Sequence, residues 1–126
     1  GLTAVENDEE ALSVKEAELS MERRVGASES NILAVQNNLA TTYAALGRNK
    51  EAMLMHREVY CGRVKLVGEE DERTLRAANN YASSLIMLER FEEGKALLLK
   101  TVSVARRVFG ESHELTLKMR WNYAKG

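Results

Sequence analysis

Gly68-Glu69-Glu70-Asp71-Glu72-Arg73-Thr74-Leu75-Arg76-Ala77-Ala78-Asn79-Asn80-Tyr81-Ala82 decides the fold, because the chain contains versions of it three times. Upstream, Gly26 opens a run that ends Asn37-Asn38-Leu39-Ala40, and downstream Gly110 opens one that ends Trp121-Asn122-Tyr123-Ala124. The three glycines stand 42 residues apart, and Leu33/Leu75/Leu117, Asn38/Asn80/Asn122 and Ala40/Ala82/Ala124 keep the same step. Several kinds of position recurring at one period of this length are the signature of a stacked repeat. The expected architecture is therefore all-α, a right-handed solenoid of antiparallel helix pairs.

Working outward, the periodicity of apolar residues locates the helices. Ile32, Val35, Leu39, Ala40, Tyr43 and Leu46 fall three and four apart, which marks one helix face over Asn31–Leu46. Ser28 and Ser30 are candidates to cap its start, and Gly47 to end it in the left-handed conformation. The same reading gives helices over Lys50–Leu66, Glu72–Leu88, Phe91–Val108 and Glu114–Lys125. Near the start the alignment slips to an offset of 41, so Leu2–Val5 reads as the last turn of one helix and Glu10–Val25 as the next. Acidic Glu9 and Glu10 at its beginning and Arg23-Arg24 at its end match the helix dipole. On this count residues 1–126 form one domain of about three 42-residue repeats, cut within a helix at both ends.

Composition excludes several functions. A net charge of −1 argues against nucleic acid as the main ligand, since phosphate binding needs a basic surface. No apolar run approaches the roughly 18 residues of a membrane span, and no basic segment followed by an apolar core marks a signal peptide. The single cysteine, Cys61, forms no intrachain disulfide, which fits a reducing compartment, and the cytoplasm is the expected location.

The junctions carry a resemblance. Gly110-Glu111-Ser112-His113-Glu114-Leu115-Thr116-Leu117 and Asn37-Asn38-Leu39-Ala40 resemble the repeats of the tetratricopeptide family, in the long form found in kinesin light chains. That family's small residue of the first helix maps to Ala40, Ala82 and Ala124, and that of the second to Ala11, Ala52 and Gly94. Its junction proline is absent, Glu89 stands where the preceding repeat has Gly47, and His56 and Leu98 occupy positions the family fills with a bulky aromatic. The resemblance implies a binding module whose first helices line a concave groove for a peptide or protein, as in a kinesin light chain-like adaptor or scaffold. An array contacting another domain of its own polypeptide, as in signalling ATPases, is the alternative.

Within that implied groove Asn38, Asn80 and Asn122 form a row, flanked by Asn37 and Asn79. An asparagine amide offers both a donor and an acceptor, the pair needed to grip an extended backbone. One turn earlier stand Arg76 and Lys118, so the expected partner is acidic or extended. Arg76 and Asn80 are both expected to be exposed. Ala82 is expected at a close helix approach and Ser84 nearer the surface.

The remaining chemistry-bearing side chains fit structural roles. His56 lies on the packing side of its helix and has no cysteine, histidine or paired carboxylate at ligand spacing, so no metal site is expected. His113 reads as a cap at a repeat junction, and the methionines as core. With no catalytic constellation and no glycine-rich phosphate loop, the chain is not expected to be an enzyme or to need a cofactor. Leu117 and Trp121 on the last helix lack a partner helix, so either fraying of this end or head-to-tail stacking of copies is expected.

Overall fold

The computed structural model describes residues 4–24 and 28–125, with the side chains of residues 4–8, 23 and 125 left aside. Six helices follow one another: α1 (Ala4–Arg24), α2 (Glu29–Ala45), α3 (Asn49–Val67), α4 (Glu72–Met87), α5 (Phe91–Phe109) and α6 (Glu114–Lys125). There is no strand among the described residues. Each helix packs on the next, and α4 also meets α6, as expected of stacked helical pairs. Leu2, Thr3, Val25 and Gly26, which bear on the reading of the first repeat, lie outside the described residues.

The helix ends follow from their residues. Ser28 caps α2 by accepting a hydrogen bond from the Asn31 amide at 3.2 Å. Asp71 does the same for α4, accepting from the Arg73 amide at 2.8 Å. His113 caps α6 through Nδ1, which accepts from the Leu115 amide at 3.1 Å, while its ring stacks on Phe109. The turns between paired helices need one left-handed residue each. Gly47 supplies it at φ 76°, and Glu89 takes the equivalent position at φ 62° despite its side chain.

The first helix corrects the expected boundary. Rather than breaking near Asp8, α1 runs unbroken from Ala4 to Arg24. Glu6, at the position equivalent to Gly47 and Glu89, is helical here rather than left-handed.

Two buried clusters hold the stack. Leu12, Leu19, Leu39, Tyr43 and Ala52 join α1, α2 and α3. Leu75, Ala78, Ala82, Leu98, Val102, Ala105, Leu115 and Met119 join α4, α5 and α6. Leu33 and Leu75 are buried, whereas Leu117 at the third equivalent position is 50% exposed. The methionines divide: Met53 and Met119 are core, but Met21 and Met87 are largely exposed, against the expectation for all five.

α4 and α5 approach each other closely at Ala82. A Cβ on Gly94 would lie 3.3 Å from the Ala82 carbonyl oxygen and 3.0 Å from Ile86 Cγ1, so two small residues face each other. Ala82→Leu is therefore expected to destabilise the protein by about 1–3 kcal/mol. Ser84 proves to be buried as well, at 7% exposure, which corrects its expected place near the surface. The proper control is exposed Ala96, where Ala96→Leu should change the urea midpoint little. Matching midpoints for the two variants would contradict the close approach.

Candidate functional site

The first helices of successive pairs, α2, α4 and α6, bring the asparagine pairs together. Asn80 Nδ2 donates to Asn37 Oδ1 at 3.2 Å, and Asn122 Nδ2 donates to Asn79 Oδ1 at 2.8 Å. Each bond links the second asparagine of one repeat to the first of the repeat before it. The result is a ladder of amides running across the stack, with each member still holding unused donor or acceptor capacity.

Beside the ladder lies a cavity of about 310 Å³. Asn37, Asn38, Asn79 and Asn80 line it, with Ala34 and Ala77 between them. Val59 and Arg63 enter from α3, Arg73 and Arg76 from α4, and Leu115 and Lys118 from α6. Asn122, the last of the expected site residues, lines an adjoining and more open hollow of about 660 Å³. Asn79 and Lys118 border both spaces, and Leu117 and Trp121 give the second its apolar wall. All seven expected residues thus border one continuous strip of surface. Arg76 is exposed, but Asn80 is half-buried and bonded to Asn37, so the expectation that both are free surface holds only for Arg76.

The cations of the strip differ in how they are held. Arg76 Nη2 donates to Glu72 Oε1 at 2.8 Å, and Lys118 Nζ to Glu114 Oε1 at 2.7 Å, both one helical turn apart and exposed. Such pairs contribute little to stability. Arg73 grips Asp71 with Nε and Nη2, and that bond holds the Asp71 carboxyl below its usual range. Lys118 likewise lowers the Glu114 carboxyl. Arg63 is different. It is buried, its Nη1 donates to Ser30 Oγ at 3.0 Å and its Nη2 to the Ser30 carbonyl at 3.4 Å.

Sequence reasoning missed Arg63 and Arg73. A signal for Arg63 existed, because it stands 42 residues before Ala105, a fully buried alanine in the next repeat. A charge at a position that is otherwise small and packed is an anomaly that registers only once the repeats are superposed. Arg73 gave no such signal, since it sits at the polar start of its helix.

No cluster of three or more His, Cys, Asp or Glu that could hold a metal occurs among the described residues. Nor is any helix there long and apolar enough to cross a membrane. What the strip offers instead is directional hydrogen bonding and positive charge.

None of the curated proteins matches the sequence. Among solved structures, a kinesin light chain protein of Podosopora anserina with nearly identical TPR-like repeats superposes with a TM-score of 0.81 at 23% identity. That match covers 94% of this chain and 56% of the other. BtubC (BKLC) from P. vanneervenii superposes with a TM-score of 0.80 at 17% identity, covering 94% of this chain and 49% of its own. The chain thus spans about half the length of these two proteins, and at such identities the likeness shows the fold. The sequence model of the tetratricopeptide repeat matches residues 32–72 and again 74–114, together well over half of the chain. With two such matches in tandem on a stack of helical pairs, the chain belongs to the tetratricopeptide repeat family.

Proposed function

We propose that the chain is a protein-interaction module that takes an extended peptide segment along the strip formed by α2, α4 and α6. The observation that carries this reading is the convergence of four asparagine amides and four cations on one cavity with no carboxylate among its lining residues. Amides pair with the alternating donors and acceptors of an extended backbone, and the cations favour an acidic partner. Tetratricopeptide repeats generally serve as protein-binding modules, and the kinesin light chain-like neighbours support an adaptor or scaffold role over catalysis. A reducing compartment such as the cytoplasm suits the exposed free thiol of Cys61.

Asn38 offers the cleanest test. It is exposed, it lines the cavity, and its side chain has no partner among the described residues. Removing its amide therefore leaves the ladder and the fold intact. Asn38→Ala is expected to weaken binding of a short end-blocked peptide of alternating glutamate and alanine by about 0.5–1.5 kcal/mol, roughly two- to tenfold. Fluorescence anisotropy with the labelled peptide measures this directly. Undiminished affinity in the variant would place the peptide elsewhere.

A further inference from the structure

Arg63 carries a charge that forms no ion pair among the described residues. Its side chain is 7% exposed, in the last turns of α3, on the same face as Val59 one turn earlier. Both of its hydrogen-bond acceptors, the hydroxyl and the carbonyl of Ser30, are neutral. Among the described residues no carboxylate lies within ion-pair distance of it. Burial pulls its pKa below the ordinary guanidinium range, and nearby Arg73 adds repulsion, while Asp71 acts the other way. A guanidinium cannot relieve that cost by losing its proton, so it remains a buried cation in search of a partner.

The other three cations of the cavity are already compensated. Asp71 neutralises Arg73, Glu72 neutralises Arg76, and Glu114 neutralises Lys118. The cation of the cavity without an ion pair among the described residues is Arg63, bordered by the amides of Asn37, Asn38 and Asn80.

From this we infer that Arg63 is the specificity-determining residue of the strip, taking one side-chain carboxylate of the bound peptide. The inference rests on the groove reading and deepens it by naming the ligand group and the residue that selects it. A single uncompensated charge matches a monoanion better than a doubly charged phosphate. A carboxylate entering the cavity would give the Arg63 guanidinium a charged acceptor beside the neutral oxygens of Ser30, and charge-assisted hydrogen bonds are stronger than neutral ones. A glutamine would offer a carbonyl but no charge, so discrimination between the two is the property Arg63 controls. A purely structural role, tethering the end of α3 to the start of α2 through Ser30, would affect folding without affecting that discrimination.

The experiment titrates the protein with two end-blocked peptides, one alternating alanine with glutamate and its twin carrying glutamine. Wild type is expected to prefer the glutamate peptide by about tenfold or more. Arg63→Gln should bring the ratio close to one, with the larger loss of affinity falling on the glutamate peptide. Ser30→Ala removes a neutral acceptor and leaves the guanidinium less satisfied, so it should widen the preference. Should Arg63→Gln fail to fold in thermal denaturation, the Ser30→Ala ratio decides: a wider preference supports the assignment and an unchanged one overturns it. Equal or absent binding of the two peptides by wild type also overturns it, as does a full preference retained by Arg63→Gln. Retained preference would shift the selection to Arg76 or Lys118 and leave the groove reading standing. That reading falls separately, if Asn38→Ala binds the glutamine peptide unchanged.

Discussion

Leu98→Ala is expected to destabilise the protein by about 2–5 kcal/mol, the range for removing a large buried aliphatic side chain from a core that relaxes only partly. Leu98 has no exposed surface and lies in the cluster that joins α4, α5 and α6. Its neighbours there include Leu75 and Ala82 from α4 and Leu115 and Met119 from α6. A cavity at this point therefore loosens two helix interfaces rather than one. Stability in a stacked array is close to a sum of nearest-neighbour terms, so the loss should fall on α4–α6 more than on α1–α3. Set against a typical total of roughly 5–15 kcal/mol, such a loss is a large fraction of the whole. Urea unfolding followed by circular dichroism measures it, and hydrogen exchange shows where it falls. Leu99→Ala, one residue on but largely exposed, should cost less than about 0.5 kcal/mol. Comparable losses for the two would mean that α5 is rotated from the orientation described.

That contrast between adjacent leucines is the kind of information the repeat period supplies. Superposing three copies at 42 residues brought out the small residues at close approach, Ala82 and Gly94. The side chains it singled out, Asn37, Asn38, Asn79, Asn80, Arg76 and Lys118, line one cavity. The period fails where burial comes from more than one neighbour. Ser84 and its equivalent Thr42 lie off the apolar stripe, yet both are buried. Lys15 from α1 donates to Thr42 Oγ1 at 2.9 Å, which shows how an earlier helix covers the polar side of a first helix. One helix face is legible as a stripe, but a helix flanked on several sides hides polar residues too.

The asparagine ladder shows a second limit. The row of amides is plain in the sequence, but its bonds join residues 43 apart, Asn37 with Asn80 and Asn79 with Asn122, one more than the repeat. The stagger of neighbouring helices sets that offset, and no spacing within one helix encodes it. Arg63 illustrates the same point from the side of charge. Its isolation depends on Asp71, Glu72 and Glu114 each being claimed by another cation, a pairing fixed only in three dimensions.

The second large effect concerns pH and His56. This side chain is 5% exposed, its Nδ1 has no hydrogen-bond partner, and burial lowers its pKa from the ordinary 6.5 to about 4. Between those two values the unfolded chain binds a proton that the folded protein refuses. Stability therefore rises with pH across this window: the contribution is complete above about pH 6.5 and is lost as pH falls towards 4. The slope cannot exceed about 1.4 kcal/mol per pH unit for one site, and the loss over the whole window amounts to about 3 kcal/mol. Carboxylates also matter in acid. Glu51, Asp71 and Glu114 are held below their usual range by Arg48, Arg73 and Lys118, so they too favour folding less as pH falls through the carboxylate range. A variant that lacks only the imidazole separates the two effects. His56 stands 42 residues before Leu98, so leucine is the residue the next repeat places in the same packing position. His56→Leu should leave the carboxylate part of the profile unchanged and remove the rest. Between pH 7 and pH 5 the stability difference between wild type and variant should move by about 2 kcal/mol in the variant's favour. Denaturation curves for both proteins across that range decide the matter. If the two profiles run parallel, His56 takes up its proton in the folded state as readily as in the unfolded one, and its burial is not the source of acid sensitivity.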